Sequence, residues 1–581
     1  MSPLWILAAL LYPLAGVIAA MVPRTPSVVV RFWMATLALP ALAVALALPT
    51  GTSLETAYLL LGNPLAWTDL SRLFLLFTSI LWSIAGLYAC FYTMPDPRFR
   101  GYAACFLASF AGNAGLFFST DIPQFYTFFA VMTFSAYGLV VHTRTPEAVR
   151  AGQLYIGMAV LGEMMVLSGL IWLAYSGGSL LLSDAPAAVA ASPHRTWIIA
   201  LLLFGFGVKA GLLPVHVWLP LAHPVAPTPA SAVLSGAMIK AGLFGWLVFL
   251  PGGVGAYPGW GSLLLGGGLL AALGAAFAGM TQTHPKANLA YSSISQMGVL
   301  TMGLGMGLNN PEAWELVTGV LAFYALNHAL AKGSLFLAVG AAHAASREIT
   351  RRWVLVGSLL AALVLVGGPW TGGSLSKAAL KKLGSHAPEI WSGHVGWLLA
   401  VSAFATTLLL VRFLFLQWES MKHASAHSSS QADQGVLWTW GGSVLICLGV
   451  PWLVAWHGGI PIKSGAMGLD QVLKAWPILL GAVVGYGWLR RSVIRPSIPA
   501  GDLGLWVLAG SSAVARWWVG SVAPRMESVD LYSDRAVEML VPDERAAPTW
   551  LDGADRTLRG LAWAGSAIMT LSFLLWWSTG S

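Results

Sequence analysis

Apolar stretches of about twenty residues, the length a helix needs to cross the hydrocarbon core of a bilayer, follow one another from Leu4 to Trp577. Soluble folds do not repeat this pattern. The runs are far longer than the alternating strands of about ten residues found in an outer-membrane barrel. Backbone in lipid must satisfy its own hydrogen bonds, which leaves helices as the solution. The expected class is therefore all-α, a polytopic membrane protein of about sixteen transmembrane helices. Charge supports this: 9% of the 581 residues are charged and 57% are hydrophobic, against roughly 25% charged in an ordinary soluble domain.

The formal net charge is +8, but the basic residues sit in short loops between apolar runs, where topology explains them and nucleic acid does not. The expected surroundings are the lipid bilayer, with no nucleic acid as a partner. Arg24 and Arg31, Arg98 and Arg100, Arg144 and Arg150, Lys286, Arg347 with Arg351 and Arg352, Lys422, and Arg490 with Arg491 and Arg495 fall mostly after odd-numbered runs. The positive-inside rule then puts the N-terminus on the non-cytoplasmic side of a bacterial inner membrane. Lys381 and Lys382 run against the pattern. The first run, from Leu4, lacks a basic leader and a cleavage site and reads as a retained helix. Cys90, Cys105 and Cys447 lie in apolar stretches without a CxxC pair, which supports neither an iron–sulfur cluster nor a cysteine zinc site. No cofactor is expected, and no electron transfer within the chain.

The chain divides into N-terminal transmembrane helices (1–100), a core (101–420), further C-terminal transmembrane helices (421–500) and a terminal part (501–581). Within the last, residues 503–556 carry too many charges to span and read as an amphipathic or surface segment before a final helix near residue 568. The stretch HASAHSSSQADQ from His423 reads as a polar loop with solvated histidines.

Chemistry is concentrated in the core. Lys209 sits in LLLFGFGVKAGLLPVHVWLP, five residues before Pro214. A lysine at mid-membrane costs roughly 2.5 to 3.5 kcal/mol on insertion scales, so it is seldom there without purpose. Proline removes a backbone donor and should break the helix, and broken backbone at membrane depth is tolerated where it is buried or lines a wet cavity. A buried charge beside a broken helix is the pattern of an ion path. The pattern recurs in GGPWTGGSLSKAALKK, where Pro369 and two glycine pairs precede Lys377. Two broken helices, each with a lysine, argue for an internal repeat.

Between them lie Lys240, in SGAMIKAGLFGW, and His328 with Lys332, in ALNHALAKGSLF. The last two are four apart and share a helix face. Burial disfavours the charged form of an amine, so a row of such groups can hold and release protons near neutral pH. The plainer readings differ by residue. Lysines near helix ends snorkel to the interface, which accounts better for Lys381 and Lys382. Lys209, Lys240 and Lys332 are flanked by apolar residues on both sides and favour function. His328 alone would read as a satisfied core histidine, and its spacing to Lys332 shifts the balance. His216 and His223 are open between lining the broken segment and plain burial. Lys286, in THPKANLAYSS, reads better as a solvated loop charge. The glycine runs, such as LLGGGLLAALGAAFAG, read as close helix packing.

At these residues the chain resembles the antiporter-like proton-translocating subunits shared by respiratory complex I (NADH:quinone oxidoreductase), Mrp cation/proton antiporters and membrane-bound hydrogenases. The stretches that carry the resemblance are KAGLLPVHVWLPLAHPVAPTPASAVLSGAMIKAG, HPKANLAYSSISQMG, NHALAKGSLFL and GGPWTGGSLSKAALK, within about residues 120 to 385. It implies a fourteen-helix core of two inverted five-helix repeats, each with a broken helix, joined by a central hydrophilic axis. Lys209 matches the lysine of the first broken helix and Lys240 the lysine of the next helix. His328 and Lys332 match the connecting histidine and lysine, and Lys377 matches the lysine of the second broken helix. One departure stands out. The glutamate that the family places on its fifth helix is replaced by Ala130, within DIPQFYTFFAVMTF. Glu163, in AVLGEMMVLSG, is the acid well inside that part of the membrane and the candidate substitute, with a structural hydrogen-bonding role as the alternative.

Three functions compete. The first is proton translocation as a subunit of a larger redox-driven or cation-exchanging complex, with other membrane subunits as partners and sodium or potassium as candidate exchanged ions. Moving one charge against 100 mV costs about 2.3 kcal/mol, and no motif in the sequence binds a nucleotide or redox centre to supply it, so either a partner provides the energy or the proton gradient itself is what is used. The second is a proton-conducting subunit paired with a large zinc protein, using the gradient to drive inorganic carbon uptake. The third is a membrane anchor whose relay has degenerated, which the cost of keeping five buried basic groups disfavours.

Overall fold

The computed structural model describes residues 2–55, 63–94, 96–423, 430–457, 470–490, 498, 500 and 501. The charged segment 503–556 and the final helix expected near residue 568 lie outside the described residues, as do residues 424–429 of the polar stretch from His423, whose last four residues belong not to a loop but to the start of a helix, Gln431–His457. The described part is helical apart from one short antiparallel pair, β1 (Ser53–Leu54) with β2 (Leu65–Ala66).

The first helices are α1 (Leu4–Met21), α2 (Ser27–Thr36), α3 (Leu39–Ala47), α4 (Asp69–Tyr92), α5 (Phe99–Leu116), α6 (Ile122–Val140), α7 (Pro146–Gly177) and the short α8 (Ala185–Ala191). The centre holds α9 (Arg195–Ala210), α10 (Trp218–Val225), α11 (Thr228–Val233), a π-helical turn Leu234–Met238, α12 (Ile239–Phe249), α13 (Pro258–Met280), α14 (Pro285–Asn309) and α15 (Trp314–Ala344). There follow α16 (Glu348–Val366), α17 (Gly372–Lys382), α18 (Glu389–Ser392), α19 (Val395–His423), α20 (Gln431–His457), α21 (Asp470–Lys474) and α22 (Trp476–Arg490).

Among the described residues ten helical stretches are long and apolar enough to cross a membrane. The molecule is an all-α polytopic membrane protein. Burial sorts these spans: the apolar window of Pro311–Ala344 is 100% buried and that of Thr228–Phe249 is 94% buried, whereas α1 and α20 are 33% buried. The two central spans are thus enclosed by other helices, and they are the spans that carry Lys240, His328 and Lys332.

Close approach builds this centre. On α13 and α14, a Cβ added to Gly268 would meet Gly298 O at 2.5 Å, and one added to Gly298 would meet Gly268 O at 2.5 Å. Only hydrogen fits at either place, so the two backbones touch there and bring the polar face of α14 inward. Of the glycine run at 266–268, it is Gly268 that makes this contact.

Candidate functional site: a buried basic axis

A helix ends beside Lys209 and another shortly before Lys377, both by the same local device, a glycine cap that precedes the proline in each segment. α9 ends at Gly211 (φ 77°, ψ 38°) and α16 ends at Gly367 (φ 78°, ψ 40°). The next residue closes each end: Leu212 N donates to Gly207 O at 2.8 Å, and Gly368 N to Leu363 O at 2.7 Å. This is the left-handed glycine cap with its six-to-one bond, which satisfies carbonyls the helix would otherwise orphan. Another carbonyl near each end takes a side-chain donor from beyond the break. Trp218 Nε1 donates to Val208 O at 2.7 Å, and Lys377 Nζ donates to Val366 O at 2.7 Å.

At the first break, Lys209 is buried in the last turn of α9 and donates to Thr133 Oγ1 on α6 at 2.9 Å. Its ammonium lies 5.7 Å from the Phe129 ring centre and 6.0 Å from that of Tyr155. These groups line a cavity of ≈ 10 Å³, about the least that holds one water. Glu163 of α7 lines it too, 2% exposed, with no protein hydrogen bond to either carboxylate oxygen. Lys209 and Glu163 act on each other's charge without forming a salt bridge. The acid facing the broken-helix lysine thus comes from α7. The α6 residues on the cavity are Phe129 and Thr133, and Ala130 is not among its lining.

In the centre, the π-helical turn is defined by Ile239 N donating back five residues to Leu234 O. It leads directly into Lys240, whose Nζ donates to Ser235 O at 2.7 Å. Such bulges recur at functional sites because they free backbone carbonyls that a regular helix would use. Lys332 of α15 donates to Leu289 O of α14 at 2.6 Å and to Ser292 Oγ. Lys240 and Lys332 are fully enclosed, at 0% exposure. His328, one turn before Lys332, is buried with no protein hydrogen bond to either ring nitrogen, and the charges of Lys240 and Lys332 both reach it.

A second cavity of ≈ 10 Å³ connects this centre to the second break. His328, Gln296, Tyr324, Asn327, Ser376 and Lys377 line it. Tyr324 OH donates to Gln296 Oε1 at 2.7 Å and Asn327 Nδ2 to Ser376 Oγ at 2.6 Å, so its polar groups are held in place, while Val364 and Leu365 of α16 complete a largely apolar wall. Lys377 is partly buried on α17, whereas Lys381 and Lys382 are exposed, as snorkelling side chains should be. The six predicted residues therefore form three neighbourhoods: Glu163 with Lys209, Lys240 with Lys332 and His328, and His328 with Lys377. No hydrogen bond joins Lys209 to Lys240, although α9 and α12 pack so closely that a Cβ on Gly242 would meet Phe206 O at 2.5 Å.

One reading needs correction. Lys286 is not a solvated loop charge: it is buried in the first turn of α14 and donates to Ala226 O at 2.7 Å. Ala226 caps α10, whose final carbonyls need donors, and a lysine amine supplies one. His216 and His223 are buried, and neither lines the two cavities above. The His223 ring lies 4.6 Å from the Phe336 ring. Sequence reasoning passed over the polar residues of α14, Ser292, Ser293 and Gln296, because serine and glutamine within an apolar run carry no charge to betray them.

Residues 119–390 match the family described as NADH:quinone oxidoreductase/Mrp antiporter, transmembrane. The chain is 32% identical over 337 residues to hydrogenase-4 component B of Escherichia coli K12, a match covering 55% of this chain and 49% of that one. It is 33% identical over 334 residues to a putative antiporter subunit, mnhA2, of Staphylococcus saprophyticus, covering 52% and 41%. The chain thus spans about half the length, or less, of these relatives. Its fold is similar to that in the structure of the membrane-bound sulfane sulfur reductase, an archaeal respiratory membrane complex: the TM-score is 0.65 at 20% identity, covering 80% of this chain and 99% of that one. Residues 119–390 are thus similar to the transmembrane family of NADH:quinone oxidoreductases and Mrp antiporters, and the chain as a whole shares its fold with a subunit of a respiratory membrane complex.

Proposed function

We propose that this protein moves protons across the membrane as the antiporter-like subunit of a larger complex, through Glu163, Lys209, Lys240, His328, Lys332 and Lys377. The observation that carries the reading is His328, buried with no protein hydrogen bond to its ring and set between Lys332 and the cavity that holds Lys377. A purely structural histidine in a core is normally hydrogen-bonded, because an unsatisfied buried polar group is costly. A histidine without a protein partner, beside two lysines and a cavity that also holds Lys377, is suited to receive and pass a proton.

The matching caps at Gly211 and Gly367 support two repeats, each with one broken helix, while the succession of apolar runs supports about sixteen crossings and the basic loops support an N-terminus outside the cytoplasm of a bacterial inner membrane. Partner subunits, or the proton gradient itself, are the expected source of energy. Other membrane subunits are the expected partners, and sodium or potassium the candidate exchanged ions.

The test is proton flux in proteoliposomes holding the full chain with its native partners. Lys209→Ala and Lys332→Ala should each lower flux by about a hundredfold, the usual worth of a proton-transfer group. Flux equal to the parent in both would overturn the relay and favour an anchor. Mass spectrometry of what co-purifies in mild detergent identifies the complex: hydrogenase-like or iron–sulfur subunits, small cation-antiporter subunits, or a large zinc protein serving carbon uptake.

A further inference from the structure

Lys240 and Lys332 stand on different helices, and each amine rests on a backbone carbonyl, which accepts a hydrogen bond but has no proton to hand on. Between those carbonyls lie three serine hydroxyls, all buried. Ser235, whose carbonyl holds Lys240, turns its hydroxyl across the helix interface to Ser293 Oγ at 2.5 Å, and either oxygen can be the donor. Ser293 also donates to Leu289 O at 3.2 Å, the carbonyl that holds Lys332. Ser292 accepts from Lys332 and donates to the same Leu289 O at 2.9 Å.

Serines within helices commonly bond back to a carbonyl of their own helix, and Ser292 and Ser293 do so. Ser235 does not. It lies in the π-helical turn, its carbonyl is given to Lys240 and its hydroxyl to another helix.

We propose that Ser292, Ser293 and Ser235 form a hydroxyl bridge that carries protons between Lys332 and Lys240. The Lys332 ammonium gives a proton to Ser292 Oγ while that hydroxyl releases its own proton to Ser293, a step that requires one of the two hydroxyls to leave the Leu289 carbonyl they share and turn to the other. Ser293 passes a proton to Ser235 in the same way, and Ser235 passes one to the neutral Lys240 amine. One proton enters the bridge at an ammonium and a different one leaves at an amine; only N–H and O–H bonds change. Hydroxyl rotation, on the picosecond to nanosecond scale, resets the bridge. The inference rests on the proposed relay and adds to it three positions that carry no charge.

The experiment uses the same proteoliposomes, with an imposed potassium–valinomycin potential and an enclosed pH dye. Ser293→Ala and the double variant Ser235→Ala/Ser293→Ala should each slow flux by about a hundredfold. The double variant removes both hydroxyls of the pair and leaves no orphan, so it tests the bridge even if the single change disturbs folding. Ser293→Thr, which keeps a hydroxyl, should restore flux. Ser295→Ala, on the same helix but bonded to Ala272 O at 2.7 Å away from the bridge, should run as the parent does. Deuterium oxide should slow the Ser293→Ala variant more than the parent, an effect that a structural role for the hydroxyl would not produce. Parent-like flux in the double variant, with Lys332→Ala inactive, would overturn the bridge and leave the relay standing. Parent-like flux in Lys332→Ala would instead overturn the relay and the bridge with it.

Discussion

Glu163 on α7 and Lys209 on α9 line one buried cavity and act on each other's charge without forming a salt bridge, Lys209 being held instead by Thr133 of α6. A carboxylate and an ammonium kept apart can each change protonation without first breaking a tight pair, whose partners would hold one another charged. Glu163→Gln keeps the shape and removes the titration, and should lower proton flux by about a hundredfold. Glu163→Asp should retain part of it. Adding Ala130→Glu to Glu163→Ala should restore little, because α6 meets the cavity through Phe129 and Thr133. Flux in proteoliposomes checks all three.

Gly211 and Gly367 adopt nearly the same left-handed conformation, but what a methyl group would meet differs. Alanine in that conformation costs roughly 1 to 2 kcal/mol at either site. At Gly211 the new Cβ would lie 3.1 Å from Leu219 Cδ1; at Gly367 it would lie 2.8 Å from Lys377 Cδ. Both variants should lower the thermal midpoint in detergent. Gly367→Ala should in addition displace the Lys377 amine from Val366 O and slow proton flux beyond what Gly211→Ala does.

Lys377 combines two tasks that substitutions can separate. Its amine satisfies the last carbonyl of α16 and faces the cavity shared with His328. Lys377→Gln can keep a donor near Val366 O but cannot carry a proton, so it should hold the parent's thermal midpoint and lose flux. Lys377→Ala leaves the carbonyl without its donor, at a cost of about 1 to 3 kcal/mol, and should lose both. Thermal unfolding and flux measured on the same preparations distinguish the two.

What could be read from the sequence followed from cost. Lysines in apolar runs are expensive in lipid, so Lys209, Lys240 and Lys332 announced buried, enclosed positions, and Pro214 and Pro369 announced breaks because proline lacks the donor that continues a helix. The serines of the bridge cost little in an apolar helix and gave no such signal; only the packing of α14 against α15 and the π-helical turn brings them together. Lys286 was misread for a related reason. Standing just after His284 and Pro285, it looks like a loop charge, and nothing in its neighbours reveals that the end of α10, sixty residues earlier, offers it a carbonyl. The six residues of the proposed relay were legible as a set of types, whereas their three neighbourhoods depend on contacts distant in sequence.

Outside the membrane-spanning helices, Asp96 ties two loops together. His142 Nε2 lies 2.5 Å from Asp96 Oδ2, Arg98 N donates to Asp96 Oδ1 at 2.8 Å, and Arg98 Nη1 donates to Thr143 O at 3.3 Å. Partial burial pushes the Asp96 carboxyl up, but the hydrogen bonds from His142 and the Arg98 amide, with the charges of both residues, outweigh it and hold the group below the usual carboxylate range. A carboxyl whose folded pKa is depressed binds fewer protons folded than unfolded, so its contribution is fully present above the unfolded value, about 3.9, and is lost as pH falls through the folded one. Asp96→Asn should therefore lower the thermal midpoint at pH 6 to 7, and the gap to the parent should close as the pH drops below about 4. His142→Ala removes the shortest of these bonds and should move that closing point upward. Differential scanning of the two variants across this range is the check, and a gap that stayed constant into acid would show that Asp96 contributes through shape and not through its charge.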